Sequence, residues 1–191
     1  MKSVFACALT GALALAGAAN ATTVIVDAMA NSSTGGVGAN TGVNLTAGQH
    51  LTVSVNPNDL WNAGALPRWS DANGLTHDLL ATGSDESGQA AGTLIGTDFG
   101  TWTQDGFSAP FGALVGKIGS TYRILGTSFN GTAWDSGQLV LYYWDSFNPD
   151  NTDAVTVDIA SAIPEPATWA FMVTGLGMAG AMLRRRRAAF A

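Results

Sequence analysis

Residues 139–159 read LVLYYW, DSFNPDNTD, AVTVDI: two strand-like runs on either side of a polar loop. In the second run Val155, Val157 and Ile159 alternate strictly with Thr156 and Asp158. Side chains of an extended chain point alternately to opposite faces, so this segment predicts a strand with one buried and one wet face. Working outward, Thr22–Val26 (TTVIV), Leu51–Val55 (LTVSV), Ala113–Ile118 (ALVGKI) and Tyr122–Leu125 are also β-branched, apolar or aromatic, and turn-forming residues bound them. No stretch of the body keeps a 3.6-residue apolar period over three turns. The pattern predicts an all-β fold, an antiparallel β-sandwich of jelly-roll-like form. Asn31–Asn44, rich in Gly, Ser, Thr and Asn, reads as loop, and Asp71–Ser108 as glycines and polar residues with one short strand at most.

Two terminal segments differ from this body. Lys2, the apolar run Val4–Ala18 and the small-x-small triplet Ala19-Asn20-Ala21 form the pattern of a secretory signal peptide, residues 1–21. Its removal predicts a domain of residues 22–163 without Cys7, the one cysteine, so neither thiol nor disulfide would stabilise it. That span holds three basic residues (Arg68, Lys117, Arg123) against thirteen Asp and Glu, a net charge of −10 compared with −6 for the whole chain. Such a charge excludes nucleic acid and anionic membrane surfaces as electrostatic partners and suits cations.

The tail, residues 164–191, has three parts. Pro164-Glu165-Pro166 holds the backbone extended, as a processing enzyme's cleft requires, and Trp169 follows. Residues 167–183 carry no charge and have the length of a short membrane span, with Arg184, Arg185, Arg186 and Arg187 as its cytoplasmic stop. A plain anchor needs neither the prolines nor Trp169. The segment resembles the PEP-CTERM sorting domain of bacteria in its PEPxxWA variety. That resemblance implies Sec export, an inner-membrane intermediate with a transmembrane sorting helix, processing by an exosortase-type enzyme, and a place at the cell surface or in an exopolysaccharide or biofilm matrix.

Chemistry concentrates in the polar loop. Asp145, Asn148, Asp150 and Asn151 fall within seven residues, interleaved with backbone carbonyls. Calcium takes six to eight oxygens at about 2.3–2.6 Å, and this is a dense supply of hard oxygen donors. Turn formation alone also favours Asp and Asn, so the residues by themselves leave an ion loop and a polar hairpin both open.

Phe111–Gly119 (FGALVGKIG), the LVLYYWD run, the DN-x-x-x-V-x-V-x-I ending and the segment Trp61–Trp69 (WNAGALPRW) together resemble the PA-IL-like galactose-binding lectins. These are small calcium-dependent β-sandwiches with a sugar site at a loop edge. The resemblance covers roughly residues 50–70 and 110–160 and implies a galactose-binding-like sandwich. It assigns Asp145 to calcium and to a sugar hydroxyl, Asp150 and Asn151 to calcium through their side chains, and Ala63 to calcium through its carbonyl. The loop is two residues shorter than in the lectins, which leaves Phe147 or Asn148 to supply the remaining carbonyl. The family's sugar-contacting His and Gln have no counterpart at matched positions. His77, in Thr76-His77-Asp78, is the candidate histidine, and Trp61 and Trp69 are the candidate aromatic faces for a sugar ring.

No Gly-x-Ser-x-Gly, HExxH or P-loop pattern is present, and adjacent Asp85-Glu86 do not make a glycosidase pair, so the reading is not an enzyme. The expectation is an exported, calcium-dependent carbohydrate-binding module with extracellular polysaccharide as partner. The alternative is a matrix protein that keeps the calcium for stability alone.

Overall fold

The computed structural model describes residues 19–162, together with Val173 and residues 175–177, which are helical. The strands are, in chain order, β1 (Ala19–Asp27), β2 (Ala39–Leu45), β3 (His50–Val55), β4 (Trp61–Asn62), β5 (Trp69–Ser70), β6 (Leu79–Leu80) and β7 (Leu94–Gly96). They continue with β8 (Thr101–Gln104), β9 (Phe107–Pro110), β10 (Leu114–Ile118), β11 (Thr121–Ile124), β12 (Ser128–Thr132), β13 (Gly137–Tyr143) and β14 (Ala154–Ala162).

Two four-stranded sheets form the sandwich, ordered β1-β14-β3-β12 and β11-β10-β13-β2, and every strand pairing in them is antiparallel. The alternation in residues 154–159 has the expected consequence. Val155, Val157, Ile159 and Ser161 are buried, whereas Thr156 and Asp158 face solvent. From the first sheet Val26, Leu51, Val53, Val155, Val157 and Ile159 meet Leu114, Ile118, Leu139, Leu141 and Tyr143 of the second in one core. Burial of each of these side chains contributes about 1.5–3 kcal/mol before the entropy of ordering the chain is set against it.

Two stretches depart from the sequence expectation. The run 31–44 is not all loop: β2 pairs with β13 at the sheet edge. Its inward positions are Ala39, Thr41 and Leu45, too small and polar to advertise a strand, and Thr41 Oγ1 donates to Leu139 O at 2.7 Å. Gly42, at φ +72°, sits where the register with β13 shifts, a bulge that ordinary residues adopt poorly. The run 71–108 holds β6, β7, β8 and the start of β9, in ladders too short to carry an apolar alternation. A small separate cluster of Leu60, Trp69, Ala81 and Ile95 packs there. Strand β12 (SFNGT), for which the sequence carries no apolar run, pairs with β3 throughout.

Ala19-Asn20-Ala21, the expected cleavage triplet, are the first residues of β1 and pair with residues 160–162 of β14. The rest of the expected signal peptide lies outside the described residues, as do Pro164, Glu165, Pro166, Trp169, Arg184, Arg185, Arg186 and Arg187. The expected helix 167–183 is described only at Val173 and residues 175–177. Among the described residues no helix is long and apolar enough to cross a membrane.

Candidate functional site

Tyr143 ends β13 inside the core, and the chain then leaves the sheet through Trp144 and Asp145, both buried. Ser33 clamps this exit. Its hydroxyl donates to Asp145 O at 2.9 Å and accepts from Asp145 N at 3.2 Å. Phe147, extended and 59% exposed, leads into a single 3-10 turn, Asn148–Asp150, with Pro149 at its start. Proline fits there because its missing N–H would be unpaired at that position. Asn151 N donates to Asn148 O at 3.1 Å and closes the turn.

A second segment meets this loop. The backbones of Asn62 and Thr152 exchange two hydrogen bonds, Asn62 N to Thr152 O at 3.0 Å and Thr152 N to Asn62 O at 3.1 Å. This bridge brings the β4–β5 hairpin, and with it Ala63, beside the loop. The result is a cleft of about 230 Å³ lined by Ala63, Arg68, Phe99, Phe111, Asp145, Ser146, Phe147 and Asp150. Gly64 (φ +112°) makes the approach possible, since a Cβ there would strike the Asp150 carboxylate.

Asp145, Asp150, Ala63 and Phe147, four of the residues assigned to calcium, therefore share one cleft. Asn151, the residue after Asp150, is fully buried, with Nδ2 donating to Ala28 O at 3.1 Å and Oδ1 without any partner. An orphaned buried amide oxygen costs about 1–3 kcal/mol and is explained if a bound cation or a donor group takes up its lone pair. Burial pushes the Asp145 carboxyl above its ordinary range, although the Ser146 amide, the Asn151 side chain and the Phe147 amide favour its charged form; Asp150 adds to the rise. Phe147 and Asn148 differ in their existing contacts: Phe147 lines the cleft and Asn148 does not. The Asn148 carbonyl already accepts Asn151 N, and its side chain donates to Met29 O at 3.1 Å.

Among the described residues no three His, Cys, Asp or Glu side chains come together. A cation held here would rely on two carboxylates plus amide and backbone oxygens. That all-oxygen set is the chemistry of a hard divalent ion and unsuited to zinc or copper. The donors present fit calcium.

The expected aromatic faces are corrected. Trp61 is wholly buried, edge-on to Tyr143 with centroids 4.5 Å apart, and its Nε1 donates to Asp71 O at 3.2 Å. Trp69 is buried in the small cluster with Leu60 and Ile95. Both rings are consumed by packing, because the strands carrying them turn those positions inward. The aromatics that line the cleft are instead Phe99 and Phe111, edge-to-face at 5.3 Å, and Phe147. Residues 71–108 offer no signal for Phe99, which joins the cleft only through tertiary pairing. Arg68 is visible in the sequence as half of an Arg-Trp pair, but nothing local places it among the acidic donors.

His77 is exposed and does not line the cleft; its Nδ1 lies 3.0 Å from Thr76 Oγ1. It follows Leu75 by two residues, and Leu75 bonds through its backbone to both Phe99 and Phe111. Asp85, the other carboxylate singled out, is a turn acceptor. It takes the hydroxyl of Ser87 and the amide and hydroxyl of Thr82, and these contacts bring its pKa down to about 2.

Comparison with known proteins yields three findings. One solved structure of similar fold is the EclA N-terminal domain, a PllA-like lectin, at TM-score 0.46 and 20% identity, covering 74% of this chain and 94% of that one. No curated protein matches the sequence. The family model for the PEP-CTERM protein-sorting motif matches residues 162–187, and the chain carries that sorting motif.

Proposed function

We propose that this protein is exported and, in its β-sandwich, binds sugar through a calcium ion held in the cleft of Ala63, Asp145, Phe147 and Asp150. The observation that carries the reading is the convergence itself. Two segments far apart in sequence are tied by the Asn62–Thr152 bridge so that Ala63 lines one cleft with Asp145, Phe147 and Asp150, and the next residue, Asn151, has a buried, unpartnered Oδ1.

When bound, the ion supplies open coordination positions that vicinal hydroxyls of a sugar can fill. Asp145 serves both, since its buried carboxylate is held by backbone amides on one side and borders the cleft on the other. Phe147 presents an exposed ring for the apolar face of the sugar. The net charge of residues 22–163 favours a neutral polysaccharide over a polyanion.

The sorting motif supports export through a membrane-anchored intermediate. Residues 167–183 hold it in the inner membrane until an exosortase-type enzyme acts at Pro164–Pro166, after which it belongs to the cell surface or an exopolysaccharide matrix. Glycan-array binding in calcium and in EDTA tests the sugar site. Signal on a neutral glycan that disappears in EDTA and in Asp145→Asn is expected, and signal unchanged by either would overturn it. Calcium binding with no sugar bound would instead identify a calcium-stabilised matrix protein.

A further inference from the structure

We propose that Arg68 is a tethered competitor for the cation: it occupies the cleft's donors and must leave them when calcium binds. The inference rests on the calcium reading above. Arg68 Nη1 lies 3.4 Å from Ala63 O and 3.8 Å from Asp150 Oδ2, so one positive group touches two of the oxygens assigned to the ion. The guanidinium is also stacked on Phe99, with Cζ 4.5 Å from the ring centroid. The backbone fixes the tether, because Ala63 N donates to Arg68 O at 3.0 Å across the hairpin.

The other two cations of residues 22–163 are occupied elsewhere: Lys117 lies over Tyr122 and Arg123 over Trp134. Arg68 is thus the cation built into the cleft. Two positive charges cannot share the same oxygens at close range, since their repulsion grows as the inverse of distance and is strong near a low-dielectric surface. Calcium entry therefore requires the guanidinium to swing out.

The exchange is feasible because each contact is weak. The hydrogen bond is long, and the ion pair is over a third exposed on both partners, where such pairs contribute little. Losing one exposed ion pair and one exposed cation–π contact corresponds to about a tenfold handicap in calcium affinity. The arrangement offsets part of the cleft's negative charge where calcium is scarce and lets the cleft fill where calcium is abundant.

Calorimetric calcium titration of the whole 191-residue chain in detergent tests this, comparing the wild type with Arg68→Gln and Phe99→Leu. Arg68→Gln should lower the calcium Kd about tenfold, and Phe99→Leu should shift it less but in the same direction. Melting in EDTA checks that each variant is folded; if Arg68→Gln is not, Phe99→Leu decides. An unchanged or weaker calcium Kd in a folded variant overturns the competitor role alone. No calcium heat from any of the three proteins overturns the calcium reading itself, and the competitor role with it.

Discussion

Replacing Asp145 by Asn separates a carboxylate kept for an ion from one kept for the fold. The side chain is buried, and burial raises its pKa in the folded state. A carboxyl whose folded pKa lies above its unfolded value binds its proton more tightly when folded. Its stabilising contribution is therefore present below the unfolded pKa and is lost as pH rises through the folded one. At pH 7 the ionised Asp145 is a cost to the calcium-free protein, and Asn copies the neutral form while still accepting the Ser146 amide that Asp145 Oδ1 takes at 2.8 Å. In EDTA at pH 7, Asp145→Asn should melt at or above the wild type. With calcium the order reverses. Binding only the folded state at about 100 times Kd adds about 2.7 kcal/mol. For a domain of about 150 residues this corresponds to a rise of roughly 5–11 °C, at about 2–4 °C per kcal/mol. The wild type should show that rise, and Asp145→Asn should show little of it. Differential scanning calorimetry in EDTA and in millimolar calcium measures both. If the variant melts several degrees below wild type in EDTA yet keeps the calcium increment, Asp145 is a structural acceptor and the site assignment is wrong.

Trp61→Ala should cost about 3–5 kcal/mol in urea denaturation, because the ring is fully buried against Tyr143. A stable variant with only sugar binding weakened would return Trp61 to the site. Intact mass spectrometry of the exported protein should find the chain shortened near Pro164–Pro166; a mass that retains Arg184–Arg187 argues against processing at the sorting motif.

Strands with strict alternation or dense β-branched runs, such as Val155–Ile159 and Leu139–Tyr143, are written locally, because a two-residue period is a property of neighbours in sequence. The sorting motif is equally local, since its residues follow one another in sequence. So is the supply of oxygen donors between Asp145 and Asn151. Strands β2 and β12 were not legible, because their inward residues are small or polar and only the register with β13 and β3 makes them strands. The same separation runs through the cleft. Ala63 and Asp145 are far apart in sequence and meet because two backbone hydrogen bonds join Asn62 to Thr152. Burial decided which aromatics remain available: Trp61 and Trp69 look like sugar platforms in the sequence, but the pleat turns them into the core and leaves Phe99, Phe111 and Phe147 at the surface of the cleft. Local sequence carries the sorting motif and the donor types. Which oxygens converge, which ring faces them and which arginine sits among them depended on contacts across the fold, whose partners no local pattern encodes.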